Sequence, residues 1–323
     1  MNNGKRSFII TEIVLGILLI ISLIYVVYNK SGPGQQKIAV IVPDVDESQW
    51  SAFKYGLKMA AQEYDVDIVI ISKDNMETVN DEIDVINQEI KNGADAVIVK
   101  PVVDNTDQAK LDQIKKRVPV MIVGDTITDE SENIFTTTEP DQYGMGAALA
   151  NKLLENNNGS LEGKTIGIYS QYAYSQAKEQ RRQGICDTLE GSGAQILWSV
   201  SKNSESDEIV NLQTQRKVDI IMALDNESVV EAGQAACDNE LYGALIYGIG
   251  NSTEAIYYLD ARWMECLIVP DEFEAGYKSV NTLVDALRKN LYVMKDQEIS
   301  YTVLTRENLF SDENKNLLFT ISQ

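Results

Sequence analysis

Residues 37–72 read KIAVIVPDVDESQWSAFKYGLKMAAQEYDVDIVIIS. Ile38–Val42 is an uninterrupted apolar run, the pattern of a parallel strand covered on both faces. It stops at Pro43-Asp44. From Trp50 onward, Phe53, Leu57, Ala61 and Tyr64 recur at helical spacing and form one apolar stripe. Val66–Ser72 is a second buried strand. The turn between the first strand and the helix carries no glycine. A phosphate-binding strand–turn–helix needs glycine there, so that the backbone can approach the phosphate. This turn carries Asp44, Asp46, Glu47, Gln49 and Trp50 instead. Carboxylates, an amide and an indole suit a neutral polyhydroxylated or a cationic small molecule.

The same alternation continues along the chain. Strand-like runs occur at Ala94–Val99, Val118–Val123, Thr165–Tyr169, Gln195–Val200, Val218–Leu224, Ala244–Ile249 and Glu265–Val269. Helical stripes separate them. Val79, Ile83, Ile86 and Ile90 form one, closed by Gly93. Ile209 and Leu212 belong to a second, opened by Ser206-Asp207. Phe273, Tyr277, Val280, Leu283 and Leu287 form a third. Such alternation predicts parallel sheets wrapped by helices. A single sheet with so many strands would be very wide, so two are expected. Breaks are expected near Asp141, where a fresh helix carries Tyr143, Ala147, Leu149 and Leu153, near Pro270-Asp271, and near Ile299–Thr305. The lobes are then 37–140 plus 271–298, and 141–270 plus 299–323. No internal repeat beyond the βα unit is evident. Arg306–Gln323 reads as a docked last strand or a frayed tail.

Residues 1–30 read as a membrane segment. Lys5 and Arg6 precede Phe8–Tyr28, which is apolar apart from Thr11, Glu12 and Ser22. That length is enough to cross a bilayer, which takes ~20 residues. The basic residues predict a cytoplasmic N-terminus and an exported remainder. A cleaved signal peptide is the alternative, but the apolar stretch is long and no Ala-x-Ala site comes after it. An uncleaved signal-anchor is the reading, with SGPGQQ (31–36) as a short tether.

The net charge is −21. Only Lys5, Arg6, Lys30 and Glu12 of the charged residues fall in the first thirty positions. Such an acidic surface repels nucleic acid and anionic lipid headgroups and keeps an exported protein soluble. Histidine is absent, which removes the commonest general base and zinc ligand. The three cysteines, Cys186, Cys237 and Cys266, are odd in number and far apart, so no disulfide framework is expected. Cys186 and Cys237 fall in helical patterns and read as buried packing residues.

The order of elements and several short stretches resemble the type I periplasmic binding proteins, in particular the ribose- and galactose-type sugar receptors, which share their fold with LacI-type effector domains. The similar stretches are Lys37–Trp50, ADAVIVKP (94–101), VPVMIVGDT (118–126), DQYGMG (141–146), RRQG (181–184), ALDN (223–226) and ISYTVLTREN (299–308). The likeness runs from Lys37 to about Asn308. It implies an α/β fold of two doubly wound parallel-sheet lobes joined by a three-strand hinge, closing on a ligand at the carboxyl ends of the strands. Departures are present. Gln49 and Trp50 stand where the family stacks two aromatics, Thr126 stands for an arginine, Asp225 for an asparagine, Gly250 (then Asn251) for an aspartate, and Pro270 for a glutamine. No particular sugar is therefore named.

The candidate ligand-binding residues are Asp44, Glu47, Gln49, Trp50, Asp125, Thr126, Asp141, Tyr172, Asp225, Asn226 and Asn251. Most lie at strand ends, where open α/β sheets bind ligands. Each has a plainer reading. Trp50 sits on a helix stripe and could be core. Asp125 and Asp225 could cap the helix or turn that comes after each strand, and the Asp44–Glu47 cluster could cap the first helix. In the ligand reading, Asp125 and Asp225 face one another across the cleft and are hydrated while it is empty. Tyr174 and Lys178 spell a Y-x-x-x-K pair, and Gly144-Met-Gly146 and Gly248-Ile-Gly250 are partial dinucleotide fingerprints. Without a glycine-rich first turn these read as chance. No calcium-loop spacing occurs, and no cofactor or metal is expected. The expectation is an exported solute receptor, not an enzyme. It would take a sugar or related polyol and present its closed form to the permease of an ATP-driven importer. The alternatives are a co-receptor of a sensor histidine kinase and, further off, an α/β-fold reductase.

Overall fold

The computed structural model describes residues 35–43, 50–73, 78–101, 108–124, 135–170, 175–201, 212–289 and 291–322. The first sheet contains β1 (Lys37–Pro43), β2 (Asp67–Lys73), β3 (Ala96–Val99), β4 (Val120–Val123), β5 (Thr136–Pro140) and β11 (Gln297–Ile299). Their order is β11-β5-β4-β3-β1-β2, parallel throughout. The second contains β6 (Thr165–Ser170), β7 (Gln195–Ser201), β8 (Ile220–Ala223), β9 (Leu245–Ile249), β10 (Cys266–Pro270) and β12 (Tyr301–Leu304). Their order is β12-β10-β9-β8-β6-β7, parallel except for β12 against β10. The helices are α1 (Ser51–Tyr64), α2 (Val79–Lys91), α3 (Gln108–Lys115), α4 (Gln142–Asn156), α5 (Gln176–Leu189), α6 (Asn226–Cys237), α7 (Thr253–Asp260), α8 (Glu272–Arg288) and α9 (Lys315–Ile321).

Alternation within the strands explains the uninterrupted apolar runs. Ile38, Val40, Ala96, Ile98, Met121 and Val123 face one core with α1 and α8. Ala39, Ile41, Val97, Val99, Val120 and Ile122 face the other core, with α2 and α3. Successive side chains point to opposite faces, and both faces are covered, so polar positions would be buried on either side. The second sheet repeats this. Cys266 and Ile268 join α4 and α5 on one face, while Leu267 and Val269 join α6 and α7 on the other.

The chain passes between the sheets three times, at Pro140-Asp141, at Pro270-Asp271 and at Ser300. Within the βα unit, the first two passages share a short pattern at the strand–helix junction: PDQYGMG at 140–146 and PDEFEAG at 270–276. Asp141 accepts from Gly144 N at 2.8 Å, and Asp271 from Glu274 N at 2.9 Å, so each caps the helix it precedes. The glycine at the end of each stretch then allows two helices to touch. A Cβ on Gly146 would lie 2.0 Å from the Arg181 carbonyl oxygen, and one on Gly184 would lie 2.2 Å from that of Tyr143. In the first lobe a Cβ on Gly276 would lie 2.4 Å from the Phe53 oxygen, and one on Gly56 would lie 2.1 Å from that of Phe273. The α4–α5 contact and the α1–α8 contact are thus built alike.

Several expectations need correction. β5 is a strand although TTTEP has no apolar run. The C-terminal tail is neither strand nor frayed end but the helix α9, with Ile321 buried in the second lobe's core. Leu212–Thr214 is a short 3-10 turn, and the expected helix ahead of it, like residues 1–34, lies outside the described residues. None of the described helices is long and apolar enough to cross a membrane. Cys266 is buried, but Cys186 and Cys237 are only half-buried; all three are free thiols. Burial pushes the Cys266 thiol up to about 12.

Candidate functional site

In each lobe the carboxyl ends of the parallel strands lie at the side from which the chain crosses to its neighbour, and polar side chains collect there. In the second lobe the organising group is Asp225, immediately after β8. Its Oδ1 accepts from Ser228 N at 2.8 Å, and Ser228 Oγ accepts from Asp225 N at 3.0 Å, a reciprocal cap at the start of α6. Its Oδ2 accepts from Ser170 Oγ at 2.6 Å, at the end of β6, and lies 3.7 Å from Lys178 Nζ on α5. Asp225 is 7 % exposed. The expectation of a hydrated carboxylate open to the cleft is therefore corrected. Its oxygens hold together the ends of β6 and β8 and the starts of α5 and α6.

Asn226 and Asn251 form a second polar joint. Asn226 Nδ2 donates to Asn251 Oδ1 at 2.6 Å, and Asn226 Oδ1 accepts from the backbone N–H groups of Asn251 (2.7 Å) and Ser252 (3.1 Å). This fastens the loop after β8 to the loop after β9. A Cβ at Gly250 would lie 2.4 Å from Asn226 Oδ1, so a side chain at that position and Asn226 in this rotamer exclude each other. Asp141 is exposed and caps α4 at the first crossing.

In the first lobe Trp50 is 6 % exposed and belongs to the core, its ring edge-on to Phe53. Its indole Nε1 is buried without a hydrogen-bond partner among the described residues, an unmet donor of the kind that costs stability. Lys100, directly after β3, places Nζ 3.8 Å over the Trp50 ring. Gly124, at φ +81° after β4, leaves room for the lysine stem, which a Cβ there would approach to 3.2 Å. The other expected residues, Asp44, Glu47, Gln49, Asp125, Thr126 and Tyr172, lie outside the described residues, as does Tyr174.

Several further residues hold this region although none is among the candidate ligand-binding residues. Arg181 Nε donates to Gln142 Oε1 at 2.7 Å and Nη1 to the Leu224 carbonyl at 2.6 Å, joining α5 to α4 and to the end of β8. Lys178 belongs to the chance Y-x-x-x-K pair, yet it is the cation beside Asp225. At the hinge, Ser300 N and Oγ donate to Glu274 Oε2 at 2.7 and 2.9 Å, and Asp271 N donates to the Ser300 carbonyl at 2.9 Å. Lys278 Nζ meets Glu274 Oε1 at 2.7 Å and the Glu298 carbonyl at 2.7 Å. Burial raises the Asp271 carboxyl above its ordinary value. Burial pushes Glu274 the same way, but the hydrogen bonds from Lys278 and Ser300 outweigh it and hold its carboxyl below the ordinary value.

Among the described residues no group of three or more His, Cys, Asp or Glu side chains could hold a metal ion. A cavity of about 100 Å³ lies at the opposite, amino end of β8 and β9, between Trp198, Leu212, Ile221, Leu241 and Tyr242. It is remote from the strand ends that carry the polar joints.

Known proteins share this architecture. A carbohydrate-transporter solute-binding protein from Agrobacterium radiobacter, solved with D-arabinose, superposes with a TM-score of 0.76 at 17 % identity, covering 88 % of this chain and 99 % of that one. A transporter solute-binding protein from Agrobacterium vitis with bound D-fucose gives 0.72 at 19 % identity, covering 87 % and 99 %. The XylFII–LytSN complex contributes a chain at 0.69 and 16 % identity, covering 85 % and 99 %. These likenesses show a shared fold. No curated protein sequence matches significantly. The periplasmic binding protein domain model matches residues 38–291. Its members are solute-binding proteins and not enzymes. The chain belongs to the periplasmic binding protein domain family.

Proposed function

We propose that this protein is a membrane-anchored, extracytoplasmic receptor that captures a small polar solute, a sugar or related polyol, between its two lobes. The observation that carries this reading is the pair of parallel sheets joined at three crossings, with their strand ends converging on that side. Open α/β sheets bind at such ends, and a chain that crosses only at a few residues can close around a ligand by hinge rotation. The bound D-arabinose and D-fucose of the two structural relatives support a sugar. Asp225, Asn226 and Asn251 shape the second lobe's wall, with much of their hydrogen bonding directed to the protein itself. Direct ligand contacts are assigned to the loops after β1, β4 and β6, through Asp44, Glu47, Gln49, Asp125, Thr126 and Tyr172. The long apolar stretch at 8–28 supports the anchor.

Transport through an ATP-driven importer is the leading role. A sensing role beside a membrane signalling partner has specific support from the tethered N-terminus and from the fold shared with XylFII, solved as a complex with LytSN. The test is a thermal-shift screen of residues 37–323 against pentoses, hexoses, polyols, amino acids and polyamines. A true ligand at a hundredfold excess over its Kd stabilises by about 2.7 kcal/mol. A panel in which only amino acids or polyamines respond would overturn the sugar assignment, and no response at all would overturn the receptor reading. Uptake of the labelled hit in cells lacking the gene then separates transport from sensing.

A further inference from the structure

The base of the first lobe, opposite the strand ends, carries an apolar projection. α8 ends at Arg288, and the chain returns to β11 through residues 289–296. This loop is fixed at both ends. Arg288 Nη2 donates to the Tyr64 carbonyl at 2.6 Å, and Asp296 Oδ1 accepts from Thr137 N at 2.9 Å, at the start of β5. Met294 packs against the core that holds Ile38 and Val66. Between these fixed points Leu291 is fully exposed, at 100 %, and Val293 is 75 % exposed. Leu291 also has φ +64°, a conformation in which glycine or asparagine would cost less. In water, leucine is the unfavourable choice there on both counts. Lys289 and Lys295 flank the pair.

β1 starts at Lys37, paired with Asp67, on the same end of the same sheet. The six residues 31–36 ahead of it reach at most roughly 20 Å. We propose that Leu291 and Val293 are a membrane-seating element: they enter the bilayer interface, with Lys289 and Lys295 at headgroup level, and hold the first lobe base-down while the second lobe stays free to move. Short apolar side chains flanked by lysines match the layered polarity of that interface. The proposal rests on the anchored reading of residues 1–30.

The test uses the full-length chain in liposomes containing a phospholipid with a photoactivatable diazirine near its headgroup, then trypsin digestion and mass spectrometry. The expected result is lipid adducts on the peptide spanning 290–295 and on the N-terminal segment, with peptides around the exposed Tyr242 at background. A Leu291→Asp, Val293→Asp double variant should lower the 290–295 adducts at least fivefold without shifting the melting temperature. Adducts on the N-terminal segment with none above background at 290–295 would overturn the seating proposal and leave the anchor standing. Adducts on neither would overturn both.

Discussion

Pro140-Asp141 and Pro270-Asp271 end the strands that carry the chain from one sheet to the other. Each has an aromatic residue two positions after the Asp and a glycine five positions after it. The helices they open pack on their neighbours through the same close backbone approach. Of the positions at which the two passages differ, one bears on the hinge. Gly144 in the first corresponds to Glu274 in the second. At Gly144 a Cβ would lie 2.2 Å from Asp141 Oδ2, whereas Asp271 makes the equivalent cap to Glu274, which carries a side chain. Glu274 instead reaches across to Ser300 and Lys278. The second passage is therefore fastened to the third, whereas the side chains of the first are bonded to α5, Gln142 Oε1 accepting from Arg181 Nε and Tyr143 OH donating to Asp187 Oδ2. A repeated fold unit sets the packing, and one substitution within it decides where the hinge is tied.

The sharpest way to break the equivalence of the two packings is to add one methyl group to each. Gly146→Ala and Gly276→Ala should both destabilise by about 3 kcal/mol, the upper part of the overpacking range, because each Cβ meets backbone rather than a movable side chain. Urea unfolding of residues 37–323 measures this; a large loss in one lobe with none in the other would show that the contacts are not alike.

The difference at the hinge predicts a smaller, pH-dependent effect. Glu274→Gln should lower stability at neutral pH by about 1 kcal/mol, its ionic contacts being partly screened by solvent. Because the folded Glu274 carboxyl lies below its ordinary value, its contribution is present above the unfolded-state value and is lost as pH falls through the folded one. Half-buried Asp271, shifted the opposite way, favours the folded state below its own unfolded-state value and loses that contribution as pH rises through the folded one. Melting curves from pH 3 to pH 7 should thus show a shallower acid decline in Glu274→Gln than in the parent. Equal declines would mean that Ser300 and Lys278 do not hold this carboxylate.

At the first passage the expected loss is that of an exposed cap. Asp141→Ala should cost about 1 kcal/mol, read from the same unfolding curves. The smallest effect belongs to the tail. Phe319, half exposed, stands edge-on to Tyr55 of the first lobe with ring centroids 6.2 Å apart, while Ile321 of the same helix is buried in the second. Phe319→Ala should cost at most about 1 kcal/mol yet broaden the distribution of lobe separations seen by small-angle scattering. An unchanged distribution would show that α9 does not restrain the hinge.

Much of this architecture is legible in the sequence, because a strand buried on both faces leaves an uninterrupted apolar run, as at Ile38–Val42 and Ala96–Val99. β5 leaves no such mark. Thr137 and Thr138 are buried, and the Thr138 hydroxyl donates to Met121 Sδ while accepting from Ser279, so tertiary partners replace apolar patterning. α9 is illegible for a related reason. Asn314 gives it no side-chain cap, and its support comes from burial of Ile321. The candidate site is harder still. In a βα unit the residue after a strand is also the residue before a helix, so a carboxylate there fits a ligand and an N-cap equally well. Asp225 and Asp141 both stand at such positions, and both are caps. What distinguishes the roles is the third partner, Ser170 or Lys178 for Asp225, which comes from a distant segment. The pattern PDxYxxG/PDxFxxG is visible in the letters, but only its shared backbone geometry gives it meaning.

If two rigid lobes close on a solute about these three passages, the molecule must become more compact when it binds. Small-angle X-ray scattering of residues 37–323, without and with a saturating sugar that raises the melting temperature, measures this. Hinge closure requires a smaller radius of gyration in the bound protein and scattering that two unchanged lobes, rotated toward each other, reproduce. A sugar that raises the melting temperature while leaving the scattering curve unchanged would show that the lobes do not close.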